Sequence, residues 1–217
     1  MKRQSVGLAA LLILVVAATG CDQLIGVRGS GNVITESRDV SGFSEVAVLG
    51  SGVVIVDVNG TESLVIEAED NIMPLLSTEV RGETLELGAE ESISPTVEVR
   101  YTISAAALDG VSISGSGNIT ATNIDSKTFA ARIDGSGYIE PAGNTGALDV
   151  EISGSGEYSG AGLVAQTGEV TVSGSGDAVV NATDALEVTI SGSGSVEYLG
   201  NPSLSTSISG SGNISQR

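Results

Sequence analysis

The stretch VSISGSGNIT, residues 111–120, governs how the rest of the chain is read. Its Gly-Ser-Gly could be a linker, a phosphate cradle, a nucleophile loop or a structural corner. The same tripeptide starts at Gly29, Gly50, Gly115, Gly135, Gly154, Gly174, Gly192 and Gly210, with steps of 20, 19, 20, 18 and 18 residues from Gly115 onward. Two residues before each first glycine stands a β-branched residue: Val27, Val48, Ile113, Ile133, Ile152, Val172, Ile190 and Ile208. Two residues earlier come Ile25, Val46, Val111, Ala131, Val150, Val170, Val188 and Thr206; four residues after the first glycine come Val33, Val54, Ile119, Ile139, Tyr158, Ala178, Val196 and Ile214. Alternation with a period of two marks strands with one buried face, which a linker would not show. A unit of about twenty residues that cannot bury its apolar face alone is a solenoid repeat.

The expected fold is therefore all-β: a single-domain, parallel β-helix-like solenoid with about 18–20 residues per rung. Gly-Ser-Gly is its corner, where the backbone turns with neighbouring rungs only ~4.8 Å away and glycine tolerates both demands. The middle serine is small enough to stack and can hydrogen-bond along the column. A nucleophilic role for it lacks any base, and a phosphate cradle lacks the following helix and a Lys.

Residues 52–110 lack the motif, but strands remain legible at 53–58, 63–69, 83–89 and 96–104, with turns at Asn59-Gly60 and Arg81-Gly82 and a helical turn within 70–77. This less regular β portion is expected to be continuous with the regular rungs of 111–217 and to cover one end of the coil, since exposed edges invite aggregation. The expected organisation is a leader over 1–20, a tether over 21–28 and one solenoid over 29–217.

The leader reading rests on MKRQSVGLAALLILVVAATGC: a basic tip at Lys2 and Arg3, an apolar run, then small residues before Cys21, the chain's only cysteine. Ala18-Thr19-Gly20-Cys21 resembles the lipobox of bacterial lipoproteins, although Leu is the commoner residue at the position of Ala18. The resemblance implies lipidation of Cys21 and a domain held close to a membrane, whether the periplasmic face of the inner membrane or the outer membrane. Ordinary cleavage that leaves Cys21 as a free thiol is the alternative.

Composition narrows the function. Beyond Lys2 and Arg3 the chain carries seven Lys and Arg against 27 Asp and Glu, a net charge of −20. Such a surface repels nucleic acid and anionic headgroups and attracts cations or basic partners. There is no His, which excludes Ser-His and Cys-His catalysis, and a single Cys excludes both an intramolecular disulfide and Cys/His zinc sites.

Repetition of ISGSGNI, the lipoprotein-like start and the opening VRGSGNV and VSGFSEVAVLGSGVVIV resemble the head GIN domain group of auto-transporter adhesins over roughly Val27 to the C-terminus. The resemblance implies a β-helical, envelope-exposed protein and brings no catalytic residues. With no auto-transporter barrel in these 217 residues, display is expected to run through Cys21.

In-register rungs would align side chains in columns. Five residues before the motif stand Asp149, Glu169 and Glu187; three after it stand Glu157 and Asp177. Grouped carboxylates suit calcium, and the second pair would also suit a retaining glycosidase. The plainer reading is a solvated acidic face. Arg132 and Glu151 are expected to pair across rungs, and Asn32, Asn118 and Asn213 to be turn or ladder residues. The resulting expectation is a lipid-anchored, non-enzymatic binding, adhesion or structural surface that needs no cofactor and contacts an envelope protein or a glycan. A calcium-dependent binding module and a polysaccharide-acting enzyme are the alternatives.

Overall fold

The computed structural model describes residues 26–217, so the leader, Cys21 and Ile25 lie outside the described residues. It is a parallel β-solenoid of about five turns with strands of an antiparallel cap at one end. In chain order the strands are β1 (Val27–Arg28), β2 (Val33–Arg38), β3 (Glu45–Gly50), β4 (Val53–Val58), β5 (Ser63–Glu69), β6 (Leu76–Arg81), β7 (Thr84–Ala89), β8 (Ile93–Ser94) and β9 (Arg100–Ala105). They continue with β10 (Gly110–Gly115), β11 (Asn118–Gly135), β12 (Tyr138–Gly154), β13 (Glu157–Gly174), β14 (Asp177–Gly192), β15 (Ser195–Leu199), β16 (Ser203–Gly210) and β17 (Asn213–Gln216). A single 3-10 turn, Met73–Leu75, falls inside the stretch expected to be helical.

Each long strand wraps a full turn. In β11 the first residues pair with β4 (Asn118 with Val53) and the last pair with β10 (Gly135 with Gly115), all in parallel. Inward alternation slips twice between successive Gly-Ser-Gly corners, at 122–123 and 127–128 in β11 and at 142–143 and 146–147 in β12, so each rung has three sides. Asn123, the one non-glycine among the described residues with a positive φ (63°), takes one of these bends and donates from Nδ2 to Asp57 Oδ1 at 2.7 Å.

The register is set at the motif. Gly50, Gly115, Gly135, Gly154, Gly174, Gly192 and Gly210 align rung on rung. The N–H of each corner serine donates to the carbonyl of the first glycine one rung earlier: Ser116 to Gly50, Ser136 to Gly115, Ser155 to Gly135, Ser175 to Gly154, Ser193 to Gly174 and Ser211 to Gly192, at 2.8–2.9 Å. The column bond thus belongs to the serine backbone, and the corner hydroxyls face solvent.

Both glycines of a corner are constrained. Gly154 has φ +124°, and a methyl placed there would run into the Gly135 carbonyl. The third glycine has a different neighbour: a Cβ at Gly176 would meet Ile152 Cγ2 at 2.5 Å. That isoleucine is the inward residue of the preceding rung, so the corner and the core interlock.

Inside, the same columns repeat. Val48, Ile113, Ile133, Ile152, Val172 and Ile190 are buried, as are Val54, Ile119, Ile139, Tyr158, Ala178 and Val196. Burying each valine or isoleucine of these columns contributes roughly 1.5–3 kcal/mol. Tyr158 is the one poor fit: it is fully buried, Gly160 makes room for its ring, and its hydroxyl has no hydrogen-bond partner.

Three expectations are corrected. The first Gly-Ser-Gly, at Gly29, is not part of the corner column: β1 pairs with β8, and β2 pairs antiparallel with β5, so Val27 and Val33 are exposed. At the other end Ile208 is also exposed, because no rung among the described residues covers it. Within 96–104 the strand begins only at Arg100, and residues 76–81 form the unforeseen β6, hairpinned to β7 through Gly82. The excursion from 59 to 109 flanks the first rung on two sides. There β7 adds to β3 and β9 to β4 in parallel, before β6, β5 and β2 close the edges antiparallel.

Two substitutions test the corner and the core. Gly154→Ala should destabilise by more than ~2 kcal/mol through strain and clash, whereas Ser155→Ala should be near neutral, as read by thermal or urea melts. Tyr158→Phe removes an orphaned buried hydroxyl and should leave stability unchanged or raise it by up to ~1 kcal/mol.

Candidate functional site

On the flank of the coil a groove of about 740 Å³ runs beside the third corner and crosses the rungs. Stacking builds it from two outward columns. One is Thr128, Ala147, Thr167, Ala185 and Ser203; the other is Ala130, Asp149, Glu169, Glu187 and Ser205. Small residues of the first column keep the groove open, and Phe129, Leu148 and Leu186 between the columns point into the core.

The register brings Asp149, Glu169 and Glu187 onto adjacent strands, as their common offset from the motif requires. The groove also holds two carboxylates that sequence reading overlooked, Glu45 and Asp109. Glu45 stands five residues before Gly50, the same offset as the other three, so the signal was present. Parallel strands stand ~4.8 Å apart, and exposed carboxylates at that spacing repel by roughly a kcal/mol.

One cation partly offsets this repulsion. Arg132 donates to Glu151 Oε2 at 2.6 Å and to Asp149 Oδ2 at 3.2 Å, which makes the expected cross-rung pair and adds a second partner. All three side chains are about half exposed, so the bridges contribute only a few tenths of a kcal/mol each. Glu169 and Glu187 have no such ion pair among the described residues.

Glu157 and Asp177 pair on another side of the coil, away from the groove. Asp177 Oδ1 accepts the Ser195 N–H at 2.9 Å, so it serves the next rung's backbone. Among the described residues no three His, Cys, Asp or Glu side chains gather into a group that could hold a metal ion. Of the three asparagines, Asn118 and Asn213 donate backbone N–H groups to Gly52 and Gly194, while Asn32 donates from its side chain to Asp70.

A separate acidic cluster anchors the displaced first Gly-Ser-Gly. Glu69 is fully buried and accepts bonds from the Gly31 N–H (2.6 Å), the Thr96 N–H (2.9 Å) and the Thr96 hydroxyl. Asp70 accepts from the Ser30 hydroxyl (2.5 Å) and Asn32 Nδ2 (2.9 Å), and Asn71 bonds Ser30 and Arg28. The Thr96 hydroxyl above all holds Glu69 below the ordinary carboxylate range against the opposing effect of burial, with the Thr96 and Gly31 N–H groups assisting. Asp70 is lowered chiefly by the Ser30 hydroxyl and then by Asn32. Any side chain at Gly29 would collide with the Glu69 carboxylate.

Fold and groove together define an acidic, corner-stacked β-solenoid with an open groove along its flank. The chain belongs to the family described as "Putative auto-transporter adhesin, head GIN domain", whose model matches residues 42–202. A solved structure of a "putative adhesin" from Bacteroides fragilis is 26% identical, with a TM-score of 0.67 over 88% of this chain and 100% of that one. A "putative lipid binding protein" from Parabacteroides distasonis is 24% identical, with a TM-score of 0.60 over 88% of this chain and 99% of that one. A "putative adhesin" from Parabacteroides merdae, 19% identical with a TM-score of 0.52, covers 88% of this chain and 98% of its own. The last two matches bear on the fold alone. Comparison with curated proteins finds no match. The family and the Bacteroides fragilis structure are consistent with a binding or adhesion role and with an exported or surface-associated protein.

Because Glu69 and Asp70 have lowered pKa values in the folded state, the stability they contribute is present above their unfolded values. It is lost as pH falls through the folded ones. Acidification below the usual carboxylate range should therefore release the 29–32 loop, seen as a loss of protection at the Gly31 and Thr96 amides relative to their intrinsic exchange rates at the same pH. In Glu69→Gln those amides should exchange fast already at neutral pH.

Proposed function

We propose that this protein is a non-catalytic adhesion module of a bacterial cell envelope, anchored through lipid on Cys21, that binds an extended, positively charged ligand along its acidic groove. The observation that carries this reading is the groove's construction. Four of its five carboxylates share one offset from the corner, so the stacking that folds the chain also lines them up along the coil axis. A repeated single-sign column in a concave surface focuses potential and concentrates cationic partners. The absence of His from the chain and the lack, among the described residues, of a nucleophile paired with a base argue for recognition over chemistry. The leader and the lipobox-like Ala18–Cys21 support the anchor.

The ligand class can be tested with lysine- or arginine-rich peptides and with cationic and neutral glycans on an array. Asp149→Asn/Glu169→Gln/Glu187→Gln should lower affinity for the cationic set at least tenfold while the melting temperature stays level or rises, since like charges are removed. Raising salt toward 1 M should weaken wild-type binding in the same direction. Equal binding by wild type and the triple variant would remove the groove from the reading. Cys21→Ser should move the protein from the membrane to the soluble fraction, and retention in the membrane would overturn the anchor. With the acidic residues spread along the coil, calcium should leave the thermal melt unchanged; a rise of several degrees would favour the calcium-dependent alternative.

A further inference from the structure

We infer that the C-terminal end of the coil is a self-association surface, and that two copies of this chain close end to end through it as a two-fold dimer.

The rung of β16 and β17 is built like the others, and no described residue stacks on its outer face. Leu204 continues the column of Phe129, Leu148 and Leu186, and Ile208 that of Ile152, Val172 and Ile190. Earlier members of these columns are at most 2% exposed, whereas Leu204 is 41% and Ile208 46% exposed. With Tyr198, Thr206 and Ile214 they surround an open hollow of about 320 Å³. The edge is open in its backbone too. β16 pairs only with β14, and β17 only with β15, so the outer hydrogen-bonding side of both strands is free among the described residues.

Exposed edges are ordinarily protected by charge, proline, a bulge or a covering segment. The opposite end of this molecule follows that rule: its edge strands β2 and β6 carry Glu36, Arg38, Glu79 and Arg81. The C-terminal end does not. From Tyr198 to Arg217 the chain contains no Asp or Glu and one basic residue, in a protein whose net charge is −18. Neither β16 nor β17 contains proline or any charged residue.

Those facts select the occupant. A charged partner would find only Arg217, already paired with Glu197, and a rung-shaped surface of serine, threonine and aliphatic side chains is complemented by another rung of the same make. Successive rungs inside the chain already stack side chains of this make, there with parallel strands. A second copy brings a neutral end, so two strongly acidic molecules can meet without opposing charges at the junction. A two-fold axis through the Gly210–Gly212 corner lays β16 of one copy antiparallel to β17 of the other, which is strand addition between identical edges. Head-to-tail stacking is disfavoured because the other end is capped and charged. The association therefore closes at two.

Sedimentation of the full chain in mild detergent tests this, comparing wild type with Thr206→Lys. The lysine sits at an inward, already open position of the last rung, from which its ammonium reaches solvent in the monomer and blocks pairing. Wild type should sediment as a dimer that dissociates on dilution, and Thr206→Lys as a monomer with unchanged circular dichroism and melting temperature. Hydrogen exchange on wild type alone gives a second readout, independent of how the variant folds: amides of Ser203–Gly210 and Asn213–Gln216 should gain protection as concentration rises. A wild-type monomer at every concentration, association that survives Thr206→Lys, polymers that grow beyond two copies, or exchange at β16 and β17 independent of concentration would each overturn the proposal.

Discussion

Everything in this molecule depends on one backbone hydrogen bond, from the corner serine N–H to the glycine carbonyl one rung earlier, made six times between Gly50 and Ser211. It fixes the register at the point where the chain turns. Once that register is fixed, the positions flanking the corner follow as columns, because parallel strands place equal offsets side by side, and the differences in rung length are taken up by register shifts elsewhere in the turn, as between Ala121 and Ile124. The bond also explains the composition of the corner. A side chain on the first glycine would collide with the carbonyl that accepts it, and one on the third would collide with the aliphatic residue beneath. The tripeptide is thus selected by two different neighbours, one polar and one apolar.

Core and surface are consequences of the same register. Inward offsets form unbroken aliphatic stacks from Val46 and Val48 to Val188 and Ile190. Outward offsets form the groove, where acids accumulate on one column and small residues on the other. A charge at a given offset is repeated in space at strand spacing, so this fold amplifies any local preference into a line. Arg132 interrupts the line near its start by bridging Asp149 and Glu151.

How far the sequence revealed this depended on whether a residue lay inside the period. The regular rungs, their inward columns and the pairing of Asp149, Glu169 and Glu187 were legible because each rests on a constant offset. Strands β4 and β5 were legible from alternation alone, with bounds that match. Glu45 was equally readable and was passed over, because its rung sits 65 residues before the next corner in sequence and directly beside it in space. The displaced loop at Gly29 was not legible. Its local sequence imitates a corner, and its position is decided by Glu69, Asp70 and Thr96, roughly 40 to 70 residues away. Exposure of Ile208 was hidden for a related reason: burial of a solenoid residue is a property of the following rung.

Identical corners have one more consequence. Because each turn carries its own register device and touches only its neighbours, adding or removing one unit of 18–20 residues leaves every column intact and changes only the coil's height, by ~4.8 Å. The groove would lengthen or shorten with it, gaining or losing one carboxylate at a time. Such a scaffold works as a graduated ruler: duplication within the gene can tune reach and valence in discrete steps, with no new turn geometry to invent.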